Sequence, residues 1–300
     1  MSDADFLTTR EVADYLRIKE RRVYELVRQR AIPCTRVTGK WLFPKDLVDL
    51  WLADSLEGEA GARPAPPPVV AGSHDPLLDW AVRESGCGLA LLPGGSLDGI
   101  ERFGQGEAVV AGLHLFEAEG GDYNVATVRD TFGGRHPTAG GLVLIEWAWR
   151  QQGLVVAAGN PKGVASLKDL ADKRLRVVRR QPEAGSRLLL AHLLEQEGLG
   201  LDDLALTEET ARGETDLGLA ILEGRAEAGF AIEAAARTLK LDFIPLVRER
   251  YDLLIGRRDY FEAPFQDLLA FTRGESFRKR AAQMGGYDVS GLGKVRFNGP

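Results

Sequence analysis

From Thr8 to Leu52 the apolar residues fall twice at helical spacing and then once at extended spacing. Val12, Ala13 and Leu16, followed by Ile18, form one stripe; Val23, Leu26 and Val27 form a second. The spacing predicts two short helices joined by a tight turn. Thr8 or Thr9 caps the first, with Glu11 or Asp14 early in it, where the helix dipole favours acid. The second runs from about Lys19 to Gln29 and turns Arg21, Arg22, Tyr24 and Arg28 outward. Ile32-Pro33 then opens an extended stretch. Thr35-Arg36-Val37, a turn at Thr38-Gly39 and Lys40-Trp41-Leu42-Phe43 read as a two-stranded wing. Pro44 opens a last helix, held down by Leu47, Val48, Leu50, Trp51 and Leu52.

Beyond this module the pattern changes. Residues 56–68 are poor in apolar bulk and carry Pro64, Pro66, Pro67 and Pro68, which predicts an extended, semi-rigid linker. From residue 69 short apolar runs alternate with helical stretches. Val69–Ala71 ends at Gly72-Ser73-His74-Asp75, Leu89–Leu92 at Pro93-Gly94-Gly95-Ser96, and Ala108–Leu113 at His114. A second set follows: Leu175–Val178 ends at Arg179-Arg180-Gln181, and Ala226–Ala231 ends at Ile232-Glu233. This rhythm predicts an α/β fold with a mainly parallel sheet. The apolar segments 154–157 and 251–255 read as crossovers between two lobes, 69–157 with 246–300 and 158–245. Ligands of such sheets bind at the carboxyl ends of strands, where helix N-termini also point.

Charge sharpens the first module. The chain carries a formal charge of −6 with a pI near 5.4, so any nucleic-acid contact must come from a local basic face. Residues 1–55 hold ten Lys or Arg against nine acids, and the cations cluster between Arg17 and Lys45. Arg36 and Lys40 flank the wing tip and suit phosphate contacts, while Arg21, Arg22, Tyr24 and Arg28 face a major groove. Cys34 and Cys87 fall in different modules, so neither a disulfide nor a metal site is expected. No apolar run reaches membrane-spanning length, and Met1–Arg10 lacks a leader pattern, so a cytoplasmic protein is expected.

In the second module the candidate chemistry is anion binding. Ser73, Ser96 and Ser186 precede or begin helices at strand ends, where hydroxyls and backbone N–H groups converge. Arg180 and Arg187 add positive charge, and His74, His114 and Glu233 also lie at strand ends. His74, Asp75, His114 and Glu233 match no metal-ligand spacing, and capping alone also explains any single serine. Ser73 beside His74 is adjacency, not a triad, and there is no phosphate-binding or dinucleotide loop. No enzyme, cofactor or metal is expected.

Residues 8–52 resemble the excisionase family of winged helix-turn-helix domains through Thr9, Ala13, Leu16, Val23, Tyr24, Ile32, Pro33, Arg36, Gly39, Trp41, Phe43, Asp46, Leu47 and Trp51. Arg30 stands where that family has Gly, and would need either a left-handed backbone or a different helix end. Residues 69–288 resemble type II periplasmic-binding-protein folds, and more narrowly the binding-protein-like domain attached to helix-turn-helix modules and molybdenum-cofactor proteins. The match is carried by Gly72–Pro76, Gly95-Ser96, Gly112–Leu115, Tyr123-Asn124, Gln151–Leu154, Gly159-Asn160-Pro161, Arg180-Gln181, Gly185-Ser186-Arg187, Gly229–Ala235, Arg250–Leu253 and Gly286–Asp288. The segment Gln181–Ser186 is more acidic than in relatives, with Glu183 placed to repel an anion. The resemblance implies a two-lobed type II binding-protein-like domain behind a small winged helix-turn-helix domain: residues 1–55, a linker 56–68 and a body 69–300. It also implies a transcription regulator, a homodimer without a membrane partner, binding double-stranded DNA and a small anion such as molybdate or tungstate. The alternative it implies is an enzyme or carrier for a molybdenum-cofactor intermediate.

Overall fold

The computed structural model describes residues 6–29, 31–36, 39–45, 48, 51–52, 65–133 and 141–299. In the head, β1 (Phe6–Thr8) is followed by α1 (Thr9–Tyr15) and α2 (Glu20–Arg28). Thr8 caps α1 in a capping box: its hydroxyl accepts the Glu11 N–H at 3.3 Å, and the Glu11 carboxylate accepts the Thr8 N–H at 2.7 Å. α1 ends on Arg17 at φ 54°, where the Ile18 N–H reaches back to the Ala13 carbonyl at 2.9 Å. That is a Schellman stop with Arg where Gly is usual. The expected left-handed position, Arg30, lies outside the described residues.

The wing takes a different form from the one expected. Thr35 bridges Leu42 through two backbone hydrogen bonds, but β2 (Leu42–Pro44) also pairs with β1, which the apolar pattern did not predict. Val37 and Thr38 lie outside the described residues. Val12, Ala13, Val23, Val27, Ile32, Phe43 and Val48 form the head's core, with Trp41 and Trp51 packed against it. Lys45, Val48, Trp51 and Leu52 are helical; Leu47 and Leu50, expected beside them, are outside the described residues, as is most of the expected linker.

The body is built on one ten-stranded sheet. β3 (Val69–Ser73), β4 (Ala90–Gly94) and β5 (Val110–Leu113) are parallel neighbours, joined by α3 (Pro76–Ser85) and α4 (Ser96–Gln105). A small hairpin, β6 (Phe116–Glu117) and β7 (Asp122–Tyr123), and α5 (Val125–Phe132) come next. β8 (Leu142–Val156) then runs for 15 residues, roughly 50 Å of extended chain.

After β8 come α6 (Lys168–Asp172), β9 (Arg176–Arg180), α7 (Gly185–Gln196), β10 (Ala205–Ala211), α8 (Glu214–Leu222), β11 (Ala228–Ile232) and α9 (Glu233–Thr238). The chain returns along β12 (Asp242–Gly256), also 15 residues, into α10 (Arg257–Tyr260), α11 (Ala263–Thr272), α12 (Glu275–Met284), β13 (Tyr287–Asp288) and β14 (Val295–Asn298).

The strand order β10-β9-β11-β8-β12-β5-β3-β4 places a parallel triplet on each side of the antiparallel pair β8–β12. The crossovers expected at 154–157 and 251–255 are therefore the ends of two full-length hinge strands. Register shifts at Pro245–Val247 and Tyr251–Asp252 bend β12. Pro245 sits at the first shift, where no ladder donor is needed. One apolar core runs through both lobes, from Leu77 and Phe277 past Trp147 and Tyr251 to Leu217 and Ala234–Ala236. Separate clusters fill each lobe: Phe103, Leu113 and Phe132 in the first, Leu170, Leu189 and Phe230 in the second.

Candidate functional site

The cleft begins where β3 and β5 end. Ser73 Oγ and Ser96 Oγ lie 2.9 Å apart, and Ser96 Oγ accepts the His114 N–H at 3.1 Å. Asp75 caps α3, accepting the Leu78 N–H at 2.7 Å, with Pro76 opening the helix. α4 begins after Gly95 and α7 after Ala184, and neither N-terminus has a side-chain cap.

These two uncapped ends meet across the lobes. A Cβ on Gly95 would come within 2.4 Å of the Glu183 carbonyl oxygen, and one on Gly185 within 2.9 Å of His114. Only glycine permits both approaches. Gln181 Nε2 donates to the Gly94 carbonyl at 3.3 Å, and the Phe116 ring packs 4.8 Å from His192 of α7. The two lobes therefore touch, closing the cleft.

The floor is a buried polar network on the hinge strands. The register sets Arg150 of β8 opposite Glu249 of β12, a cross-strand charge pair. Arg150 Nη2 donates to Glu249 Oε1, and Nη1 to Asp75 Oδ2 at 3.0 Å. Gln152 Nε2 donates to Glu249 Oε1 at 3.1 Å, and His114 Nδ1 lies 2.8 Å from Glu249 Oε2. Trp147 Nε1 and the Tyr287 hydroxyl donate to Asp75 at 3.1 and 2.7 Å. The Arg150 guanidinium stacks 4.4 Å above the Tyr251 ring.

Burial pushes the Glu249 carboxyl up, but Arg150, His114 and Gln152 outweigh it and hold the group at about 2. Burial, with the Asp75 charge, pushes the Tyr251 and Tyr287 phenols above their ordinary range.

The expected ligand residues divide into two groups. Ser73, Ser96 and His114 are joined by hydrogen bonds, and Ser186 follows the glycine that abuts His114. Ser186 Oγ is buried with no hydrogen-bond partner, and so is His74 Nδ1. The rest have other partners. Arg180 Nη1 pairs with Glu214 Oε1 at 2.9 Å, Arg187 Nη1 donates to the Arg180 carbonyl at 3.3 Å, and Glu233 pairs with Arg237 at 2.6 Å. Charge picked out the two arginines and strand-end position picked out Glu233. Glu214 of α8 holds Arg180, the β9 carbonyl of Arg180 holds Arg187, and Arg237 of the same helix holds Glu233. Arg150, Gln152 and Glu249 were not among the expected ligand residues. Their local signal is a charged or amide side chain within a long strand, and Gln152 also lies in a segment that carries the resemblance. Among the described residues no group of His, Cys, Asp and Glu is placed to hold a metal. A separate groove of about 630 Å³, lined by Arg176, Thr207, Thr210, Asp216 and Arg225, lies beside the edge strand β10.

On the head, α2 exposes Arg21, Arg22, Tyr24 and Arg28. Glu25 sits between the first two, 3.5 Å from Arg21 Nε and 2.9 Å from Arg22 Nη1. Arg36 donates to the Gly39 carbonyl at 3.1 Å and stacks 5.4 Å over Trp41; Lys40 is exposed.

Residues 79–273, well over half of the chain, match the model of the PBP superfamily domain. This chain belongs to the PBP superfamily. A helix-turn-helix domain model matches residues 6–55, so the PBP domain is fused to a DNA-binding type of head. Both are binding families rather than catalytic ones.

Similar proteins agree with this architecture. Over 98% of its length the chain aligns with 99% of the uncharacterized protein YvgK of Bacillus subtilis (strain 168), at 26% identity. The body is similar in fold to a putative phosphate ABC transporter substrate-binding protein with bound phosphate from Clostridium perfringens. That likeness has TM-score 0.52 and 12% identity, over 76% of this chain and 99% of that one. It is also similar to the sulfate-binding protein SubI from Mycobacterium tuberculosis H37Rv, with TM-score 0.51 and 16% identity, over 74% and 86%. No helix among the described residues is long and apolar enough to cross a membrane.

Proposed function

We propose that this protein is a one-component transcription regulator acting in the cytoplasm as a homodimer, with a PBP domain that senses a small anion. The head is residues 1–55, the linker 56–68, and the lobes are 69–157 with 246–300, and 158–245. Arg21, Arg22, Tyr24 and Arg28 of α2 would face the major groove, with Arg36 and Lys40 on phosphates.

The observation that carries the ligand reading is the meeting of two uncapped helix N-termini with a buried, unpartnered Ser186 hydroxyl between the lobes. Amides and hydroxyls so arranged donate to a small oxyanion. Fold neighbours named for phosphate and sulfate support that class. Molybdate and tungstate are the members of it that the sequence resemblance suggests. Ser73, His74, Ser96, His114, Ser186 and, on ligand-induced rearrangement, Arg180, Arg187 and Glu233 form the binding set. Lobe closure would reposition the two heads of the dimer and change operator affinity.

The test is a gel-shift series with DNA flanking the protein's own gene, with and without phosphate, sulfate, molybdate and tungstate. One anion should change the fraction of DNA retained. Absence of any retained DNA at every anion level would defeat the regulator reading.

A further inference from the structure

We infer that the cleft takes up a proton with its anion, and that His114 receives it. This rests on the anion reading above and adds a charge mechanism to it.

The charges at the floor require such a step. Asp75 and Glu249 carry two formal negative charges, and Arg150, held between them, carries one positive. Arg180, the nearby strand-end cation, is matched by Glu214. With a neutral imidazole the floor is therefore one unit negative and repels an anion. In a buried site this repulsion is screened little. A proton on His114 brings the floor to neutrality.

The geometry singles out His114 for that proton. Its Nδ1 faces Glu249 Oε2 at 2.8 Å, and the ring is almost fully buried. An ionised carboxylate there accepts only an N–H, which fixes the proton on Nδ1 in the neutral ring. Nε2 has no hydrogen-bond partner among the described residues. In the neutral ring Nε2 is an acceptor and opposes an anion; protonated, it becomes a donor aimed away from Glu249.

The other groups around the imidazole do not replace it. From β12 come Glu249, which stays ionised; Tyr251, whose ring stacks at 6.0 Å and whose phenol is pushed well up; and Asp252, opposite Leu113, which pairs with Arg250 at 2.9 Å, is bonded by Asn124, and is pushed up to about 7 by burial. From β8 come Arg150 and Gln152, both bonded to Glu249. The β3–α3 turn supplies Ser73, Asp75 and His74, and His74 has no carboxylate partner among the described residues. α4 contributes the neutral Ser96. The segment before α7 brings Gly185 against the ring and the Glu183 backbone against Gly95, with the Glu183 side chain exposed.

The experiment uses the full chain and inorganic sulfate, which carries no proton of its own near neutral pH. Calorimetric titrations in two buffers of different ionisation enthalpy count protons, and the His114 ring resonance is followed by NMR against pH with and without sulfate. The expected result is uptake of about one proton per sulfate. Affinity should fall as pH rises, by up to about tenfold per pH unit for one proton taken up. His114→Gln should bind more weakly and without that slope. If the variant does not fold, the His114 ring resonance decides: a proton taken up with no change at that ring would assign it to Asp252 and overturn the inference.

Sulfate binding in the cleft with no proton uptake would overturn this inference and leave the anion reading standing. If sulfate, phosphate and molybdate all leave the cleft resonances unmoved, both readings fall.

Discussion

Arg180 Nη1 lies 2.9 Å from Glu214 Oε1, tying the end of β9 to the first residue of α8. Both side chains are nearly buried, and Glu214 Oε2 also accepts the Ile232 N–H at 3.3 Å. Removing one member of a buried pair leaves the other charge without compensation. Glu214→Ala is expected to cost about 3–5 kcal/mol in urea unfolding. A much smaller cost would mean that Arg180 is not structurally committed and is available to a ligand.

Gly185→Ala tests whether the cleft needs the close approach of the lobes. Gly185 is the first residue of α7, a position where alanine suits the helix itself. Its Cβ would meet His114 at 2.9 Å across the cleft. The variant should keep its far-UV circular dichroism and lose at least tenfold in anion affinity. Gly120→Ala, with nothing within 4 Å of the added carbon, should bind as the parent does. Equal affinity in both variants would show that closure to this contact is not required.

The order of elements was legible because its signals are local. The Asp75-Pro76 pair marks the start of α3, and Gly95-Ser96 that of α4. The floor was not legible, because its contacts come from register. Glu249 meets Arg150 across 99 residues and His114 across 135. Neither segment announces its partner: Leu142–Val156 reads as an apolar run with a few polar breaks. The same limit hid the partners of the cations. Arg180 at a strand end looks available until α8 brings Glu214 to it.

The buried network gives the body an acid limit with a defined sign. Glu249 has an ordinary value near 4.5 and is held at about 2 in the folded chain. A depressed folded value means the unfolded chain binds the proton first as pH falls. The contribution is fully present above about pH 4.5 and is lost between there and pH 2. It amounts to roughly 3 kcal/mol for this group. Stability measured by chemical denaturation should fall across that window. Glu249→Gln should be less stable at pH 7 and show a shallower fall. An unchanged slope would assign the acid sensitivity to other carboxylates.

On the head, Glu25 holds two of the cations proposed to face DNA. Arg21 and Arg22 both reach its carboxylate, at 3.5 and 2.9 Å, and both are well exposed. Such surface pairs contribute little to stability, so the consequence lies in binding. Pairing with Glu25 partly neutralises each guanidinium before a phosphate or base edge is met. Glu25→Ala should raise affinity for arbitrary duplex DNA and steepen its salt dependence, because more cationic charge is free to displace counterions. Arg22→Ala should do the reverse, reducing the salt slope by about one if that side chain meets a phosphate. Neither change touches the cleft, so sulfate affinity should match the parent in both. Fluorescence anisotropy over a salt series measures the slope directly. A Glu25→Ala chain that binds DNA more weakly would instead assign Glu25 a contact of its own, as an acceptor for a cytosine amino group.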